Sequence, residues 1–148
     1  MSETPSTFSG YYKSTYQGKT ALTARPPWDI GEPQTPFVEI QKAGLIKGEV
    51  LDAGCGNGEI SLFLAAEGHH VTGIDIAEGA IARRTAGGGA EALATFAVRR
   101  ALDLSAYESR FETVVDCGCS TPCPRRRRRY AAELHRATSP GPVPTCSR

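Results

Sequence analysis

A glycine-rich turn between two apolar segments is the strongest constraint that this sequence places on its fold. In VLDAGCGNG, residues 50–58, glycine occupies every second position from Gly54 to Gly58, directly after a short apolar run. Glycine allows a tight turn and a close approach of a ligand to the main chain. The following EISLFLAAEG is mostly apolar and predicts a buried helix over residues 59–68 that ends at Gly68. The chain is therefore expected to run from a strand through a tight turn into a helix.

The same alternation of strands and helices extends along much of the chain. Apolar, β-branched runs predict strands, and amphipathic stretches predict helices; the last helix has Ala131, Leu134 and Thr138 on one side. The predicted helices cover residues 37–43, 59–68, 78–86 and 125–138, and the predicted strands cover residues 49–54, 70–76, 94–98 and 111–118. This alternation favours the α/β class, with a Rossmann-like, doubly wound parallel sheet and helices on both faces.

Two aspartates near the glycine turn indicate a nucleotide-type ligand. Asp75 ends the second predicted strand, 21 residues after Gly54, where a carboxylate can accept hydrogen bonds from a ribose diol. The dinucleotide pattern G-x-G-x-x-G does not fit, because Glu59 stands in place of the third glycine and would repel a pyrophosphate. Asp52, two residues before Gly54, gives D-x-G-x-G-x-G instead. An NAD-binding domain is therefore the less favoured alternative.

The segments VLDAGCGNG and VTGIDI together resemble motifs one and two of the class I S-adenosylmethionine-dependent methyltransferases. The resemblance extends over about residues 37–118, and the earlier PPWDIGEPQ is similar to segments of small-molecule methyltransferases of the thiopurine, thiol or quinone type. It implies S-adenosyl-L-methionine as the cofactor and a small molecule as the methyl acceptor. Methyl transfer of this kind depends mainly on in-line positioning of the nucleophile.

The resemblance also implies how the cofactor is held. Gly54 and Gly56 would leave room for its methionine part, and Asp52 would help to hold the amino group. Asp75 would accept hydrogen bonds from the ribose hydroxyls, and Ile76 would pack on the adenine.

Further residues are implied to lie around the same site. Trp28 would close over the cofactor or the substrate, and Asp116 and Cys117 would face the transferred methyl group. No catalytic acid or base and no metal ligand is assigned. The implied cofactor-binding residues are Trp28, Asp52, Gly54, Cys55, Gly56, Asp75, Ile76, Ala101 and Asp116.

The sequence departs from the family pattern after the third strand and in its tail. Arg100, which can only donate, stands where the family usually has Asp or Asn to accept from the adenine amino group. The tail, residues 139–148, contains three prolines, which exclude a central strand. We therefore expect an incomplete sheet of about four strands that lacks strands five to seven of the family core. The fourth strand would then be an exposed edge, open to self-association.

This departure raises two hypotheses about the gene and the activity. Residues near 119–126 and after 138 carry Pro, Cys and Arg where apolar residues are expected, which suggests reading-frame slips in a gene for a longer enzyme. Activity would then be lost through truncation. The alternative function is a non-catalytic remnant that binds the cofactor weakly or needs a partner.

The predicted organisation is a partial methyltransferase domain over residues 37–138 between two short segments. Residues 1–36 form an N-terminal arm or lid, either disordered or covering a pocket with aromatic side chains, and residues 139–148 form an irregular tail.

Composition and charge exclude several classes of partner. The net charge of +1 in 148 residues gives no general attraction to nucleic acid or membranes. The arginine run, residues 125–129, is interpreted as the solvated start of a helix. No run reaches the roughly 18 apolar residues of a membrane span, and MSETPSTFSG lacks signal-peptide features, so a cytoplasmic protein is expected. The five cysteines argue against a disulfide framework, and no metal site is expected at CGCSTPC.

Overall fold

The computed structural model describes residues 30–86, 93–116, 124–140 and 145–147. Strands and helices alternate through these ranges, as predicted. The helices are α1 (Thr35–Lys42), α2 (Glu59–Ala66), α3 (Glu78–Ala86) and α4 (Pro124–Ala137), with a short 3-10 turn at Ser105–Tyr107. The strands are β1 (Val50–Ala53), β2 (Val71–Asp75), β3 (Ala94–Val98), β4 (Thr113–Asp116) and β5 (Thr145–Ser147). None of these helices is long and apolar enough to cross a membrane.

The strands form one parallel sheet in the order β3-β2-β1-β4-β5. Val50 in β1 pairs with Val71 on one side and with Thr113 on the other. The chain therefore moves outward from β1 to β3 and then returns to place β4 on the opposite side of β1. This confirms the predicted doubly wound sheet, and it puts the topological switch point between the carboxyl ends of β1 and β4.

Apolar side chains cover both faces of the sheet. One cluster joins α1 and α2 to the strands and includes Phe37, Val50, Leu64, Val71 and Val115. The cluster on the other face joins the 3-10 turn and α4 to the strands and includes Leu51, Ile74, Leu104, Phe111 and Ala137. The two clusters confirm that helices pack on both faces, which is what buries a parallel sheet.

The buried side of α4 differs from the predicted one. Tyr130 and Ala137 are buried and Leu134 is half-buried, whereas Ala131, which was expected on this side, is exposed. The spacing of the buried residues is i, i+4 and i+7, which is still one helical stripe. This stripe shares Leu134 with the predicted one, and its Tyr130 hydroxyl donates to Asp116 Oδ2 at 2.8 Å.

The four predicted strands are present, and a fifth short strand lies beside them. Thr145 to Ser147 of β5 pair in parallel with Val114 to Asp116 of β4. The prolines of the tail all precede Thr145, so the amides of β5 itself remain able to donate. Strand β4 is therefore an inner strand, and the expectation that it forms an exposed edge is corrected.

The ring of Phe96 on β3 explains two glycines around the turn after β1. A Cβ on Gly73 would lie 2.8 Å from Phe96 Cδ1 and 2.9 Å from Ser61 Oγ. A Cβ on Gly58 would lie 2.7 Å from Phe96 Cε1, and the φ of +79° at Gly58 also disfavours a side chain. These positions are glycine because an aromatic ring occupies the space above them.

We expect Gly73→Ala to lower the free energy of unfolding by about 1–3 kcal/mol, because the new methyl group overpacks against Phe96 and Ser61. Urea unfolding of the wild type, Gly73→Ala, Phe96→Leu and the double variant gives a double-mutant cycle. The smaller leucine side chain introduced by Phe96→Leu should make the alanine at position 73 less costly. Additive effects of the two substitutions would contradict this explanation.

Candidate functional site

Three buried aspartates lie at the carboxyl edge of three adjacent strands. Asp75 is the last residue of β2, Asp116 is the last residue of β4, and Asp52 is the third residue of β1 between them. Each side chain is at most 3% exposed. In an open α/β sheet ligands bind outside the carboxyl ends of the strands, at the switch point. The three carboxylates therefore stand where this fold places its ligand.

The carboxylate of Asp75 holds the glycine turn against the end of β2. Its Oδ2 accepts from the Gly56 N–H at 2.9 Å, and its Oδ1 accepts from the Ala77 N–H at 2.8 Å. The N–H groups of Gly54 and Cys55 donate to the carbonyl oxygen of Ile74, at 2.8 and 2.9 Å. Asp75 thus joins the end of β2 to the turn that follows β1.

Asp52 is a buried carboxylate with one unpaired oxygen. Its Oδ2 accepts from Ser61 Oγ at 2.6 Å, but its Oδ1 has no hydrogen-bond partner within the described ranges. Burial raises the pKa of Asp52 to about 7, the hydrogen bond from Ser61 opposes the rise, and the charges of Asp75 and Asp116 add to it. An unpaired buried oxygen is costly, so this atom is an acceptor for a donor from outside the described residues.

The residues at this edge fit the cofactor implied by the sequence. The unpaired Asp52 oxygen offers an acceptor for an ammonium group, and Asp75 offers acceptors for hydroxyl groups. Two apolar side chains stand exposed beside them at neighbouring strand ends: Ile76 is 47% exposed and Val98 is 49% exposed. Asp75 pairs with Val98 across the sheet, so both apolar side chains lie next to the carboxylate proposed for the ribose.

Three side chains support the site and were not singled out from the sequence. Ser61 binds Asp52, and it is the one polar residue in the apolar run ISLFLAA, which was the available signal. Tyr130 binds Asp116 and is the one tyrosine of α4. Arg84 of α3 donates from Nε and Nη2 to the Asn57 carbonyl at 2.8 and 2.6 Å, which fixes the glycine turn from a second element.

Other predicted site residues have different surroundings. Cys55 is half-buried, and burial raises the pKa of its thiol, which disfavours the thiolate form. Ala101 is half-buried against the apolar cluster on the α4 face. Arg100 is exposed. Trp28 and Cys117 lie outside the described residues. Within the ranges that the structure describes, no group of three or more His, Cys, Asp or Glu side chains is arranged to hold a metal ion.

Replacing Asp52 with Asn should weaken the pH dependence of stability. The pKa of Asp52 rises from 3.8 to about 7 on folding, so the folded state holds the proton more tightly and stability falls as pH rises through this window. Between about pH 4 and pH 8, we expect the free energy of unfolding of the wild type to fall by roughly 1–4 kcal/mol more than that of Asp52→Asn. Urea unfolding at several pH values measures this difference.

Glu67→Gln is the matched control for this experiment, because it removes an exposed carboxylate. Its stability should follow the wild-type pH curve. If Asp52→Asn also follows the wild-type curve, the pKa of Asp52 does not change on folding and the interpretation of its burial is wrong.

Comparison with known proteins finds relatives for most of the chain. Residues 50–141 match the family model described as a methyltransferase domain. The 2-heptyl-1-hydroxyquinolin-4(1H)-one methyltransferase of Mycobacteroides abscessus is 36% identical over 135 residues, which cover 88% of this chain and 60% of that protein. This chain therefore spans about 60% of the length of that relative.

Solved structures extend the likeness to the fold and the cofactor. A structure described under "Conversion of a Disulfide Bond into a Thioacetal Group during Echinomycin Biosynthesis" has a TM-score of 0.81 and 45% identity, covering 90% of this chain and 57% of that one. The Burkholderia thailandensis 1,6-didemethyltoxoflavin-N1-methyltransferase, solved with bound 1,6-didemethyltoxoflavin and S-adenosylhomocysteine, has a TM-score of 0.67 and 27% identity. This match covers 89% of this chain and 56% of that one. These matches support S-adenosyl-L-methionine as the cofactor. With the D-x-G-x-G-x-G turn and the switch-point aspartates, they show that the chain belongs to the class I S-adenosylmethionine-dependent methyltransferases.

Proposed function

We propose that this chain binds S-adenosyl-L-methionine at the carboxyl edge of β1, β2 and β4 and takes part in methyl transfer to a small organic molecule. The observation that carries the proposal is the unpaired, buried Oδ1 of Asp52 beside the Asp75 carboxylate. A cationic amino group would pair with the first, and ribose hydroxyls would donate to the second. The bound cofactor supplies an activated methyl group on a sulfonium centre.

The chain's own residues would act by binding and orienting. Asp75 would accept from the two ribose hydroxyls while it still holds the Gly56 amide. The exposed side chains of Ile76 and Val98 would pack against the adenine ring, which would bury their apolar surface away from water. Asp52 would hold its charge next to an ammonium group, which offsets the cost of burying the carboxylate. These roles require no general acid or base, since in-line positioning accounts for much of such a transfer.

The class of methyl acceptor is inferred from the relatives. The Mycobacteroides abscessus relative is named for 2-heptyl-1-hydroxyquinolin-4(1H)-one, and the Burkholderia thailandensis structure holds 1,6-didemethyltoxoflavin. Both names denote small organic molecules, and the quinolinone is a heterocycle that carries a hydroxyl group on its ring. We therefore propose a compact heterocyclic hydroxyl, amine or thiol as the acceptor for this chain.

Binding without turnover is the second candidate function. It is favoured by Arg100, which stands exposed after β3 at a place where an acceptor for the adenine amino group is expected. Both candidates allow S-adenosylhomocysteine to bind, more weakly in the second, and they differ in product formation. A radiolabelled methyl transfer assay with hydroxyquinolines, thiols and phenols distinguishes them, because only an active enzyme labels an acceptor.

Asp75→Ala should weaken the binding of S-adenosylhomocysteine by about 1–3 kcal/mol, because two hydroxyl donors lose their acceptor. Titration calorimetry of the whole chain gives the dissociation constant for S-adenosylhomocysteine, S-adenosylmethionine and NAD. Glu108→Ala removes an exposed carboxylate after the 3-10 turn and serves as the control, with binding unchanged. Unchanged binding in Asp75→Ala, or binding of NAD alone by the wild type, would contradict the proposed site.

A further inference from the structure

A second group of charged side chains lines a cleft outside the aspartate cluster. The cleft has a volume of about 420 Å³ and is lined by Arg100, Leu102, Asp103, Arg126 and Arg129. Arg100 follows β3 by two residues, and Arg126 and Arg129 belong to α4. Two separate segments therefore bring three arginines to one cavity, and one of these segments contains the arginine run that the proposed function leaves without a role.

Positive charge prevails in this cleft. Among the described residues that line it, Asp103 is the one acid, and it accepts from Ser105 Oγ at 2.8 Å. The hydrogen bonds from Ser105 keep the pKa of Asp103 below its ordinary value, with smaller contributions from Arg99 and Arg129. Asp103 therefore stays ionised and offsets one of the three arginine charges. Three cations against one anion leave the cavity with an excess of positive charge.

The nearest acid on α4 is engaged elsewhere. Glu133 Oε2 accepts from the Leu104 N–H at 2.7 Å, and Glu133 Oε1 lies 3.6 Å from Arg136 Nη2. Its charge is thus paired at the start of the 3-10 turn and in the last turn of α4. It holds the loop that carries Arg100 and Asp103 against α4, and this contact gives the cleft a fixed wall.

The arrangement of the arginines is suited to an anion. Arg126 and Arg129 are three residues apart on a helix and so share a face. Arg126 lies in the first turn of the 14-residue α4, where the helix dipole adds positive potential. Arginines collected at a helix start repel one another and the dipole, and an anion relieves both repulsions. Guanidinium groups match the paired oxygens of phosphate and carboxylate in geometry as well as charge.

We propose that this cleft binds the oxyanion of a small molecule, a phosphate or a carboxylate group, through Arg100, Arg126 and Arg129. The cleft adjoins the proposed cofactor site, because the N–H of Arg99, next to Arg100, donates to the Asp75 carbonyl at 3.0 Å. The residues that line the cleft are nevertheless different from those that hold the glycine turn. The inference therefore does not require that the chain transfers a methyl group.

Titration calorimetry of the whole chain with pyrophosphate and with citrate tests the proposal and distinguishes the two oxyanion chemistries. We expect at least one probe to bind, and Arg100→Ala, Arg126→Ala and Arg129→Ala each to weaken that binding roughly tenfold. Arg128→Ala is the matched control, since this arginine is exposed on the same helix and does not line the cleft. The affinity of Arg128→Ala for the probe should stay within about twofold of the wild-type affinity.

Three results would overturn the inference. One is that neither probe binds the wild-type chain at low ionic strength. Another is evidence for a general basic surface. This would be a loss of affinity in Arg128→Ala as large as that in Arg129→Ala, or an oligonucleotide that binds more tightly than either probe and depends equally on both residues. The third is that Arg129→Ala loses S-adenosylhomocysteine and the anion together, which would assign the cleft to the cofactor site. Loss of the anion with S-adenosylhomocysteine binding retained supports a separate site.

Discussion

The Asp75 carboxylate is the interaction on which the geometry of the site depends. Its two oxygens accept from the Gly56 amide after β1 and from the Ala77 amide before α3, so one side chain fixes the exits of two adjacent strands. Hydrogen bonds to an ionised carboxylate are stronger than those between neutral groups. The Arg84 guanidinium holds the same turn from α3 through the Asn57 carbonyl. The glycine turn is thus kept in one conformation by contacts on both of its sides.

This geometry collects acidic groups where the interior is apolar. Hydroxyl groups partly compensate for their burial, since Ser61 donates to Asp52 and Tyr130 donates to Asp116. The compensation is incomplete, because Asp52 Oδ1 lacks a partner in the described part of the chain and the pKa of Asp52 is raised to about 7. Such a site costs stability in the free protein, and a cationic ligand would recover part of that cost.

Opposite charges are separated along the same edge of the sheet. The aspartates are buried at the ends of β2, β1 and β4, whereas Arg100, Arg126 and Arg129 line an open cleft between the segment after β3 and α4. Arg99 lies between the two regions: its backbone amide bonds to the Asp75 carbonyl, and its guanidinium lies 4.9 Å from the centre of the Tyr107 ring. An acidic buried pocket and a basic open cleft favour ligand groups of opposite charge, which is why we assign them different roles.

The sequence by itself determined the order of strands and helices, the glycine turn, the position of Asp75 and the family. These features follow from local patterns, namely apolar periodicity, glycine spacing and an acid at a strand end. Only the tertiary structure decided which residues support the site, because Ser61 meets Asp52 and Tyr130 meets Asp116 across α2, α4 and the sheet. It also decided that Tyr130 rather than Ala131 faces the core and that β5 pairs with β4 despite the prolines before it. Such contacts join residues that are distant in the chain, and they form only when strands and helices pack.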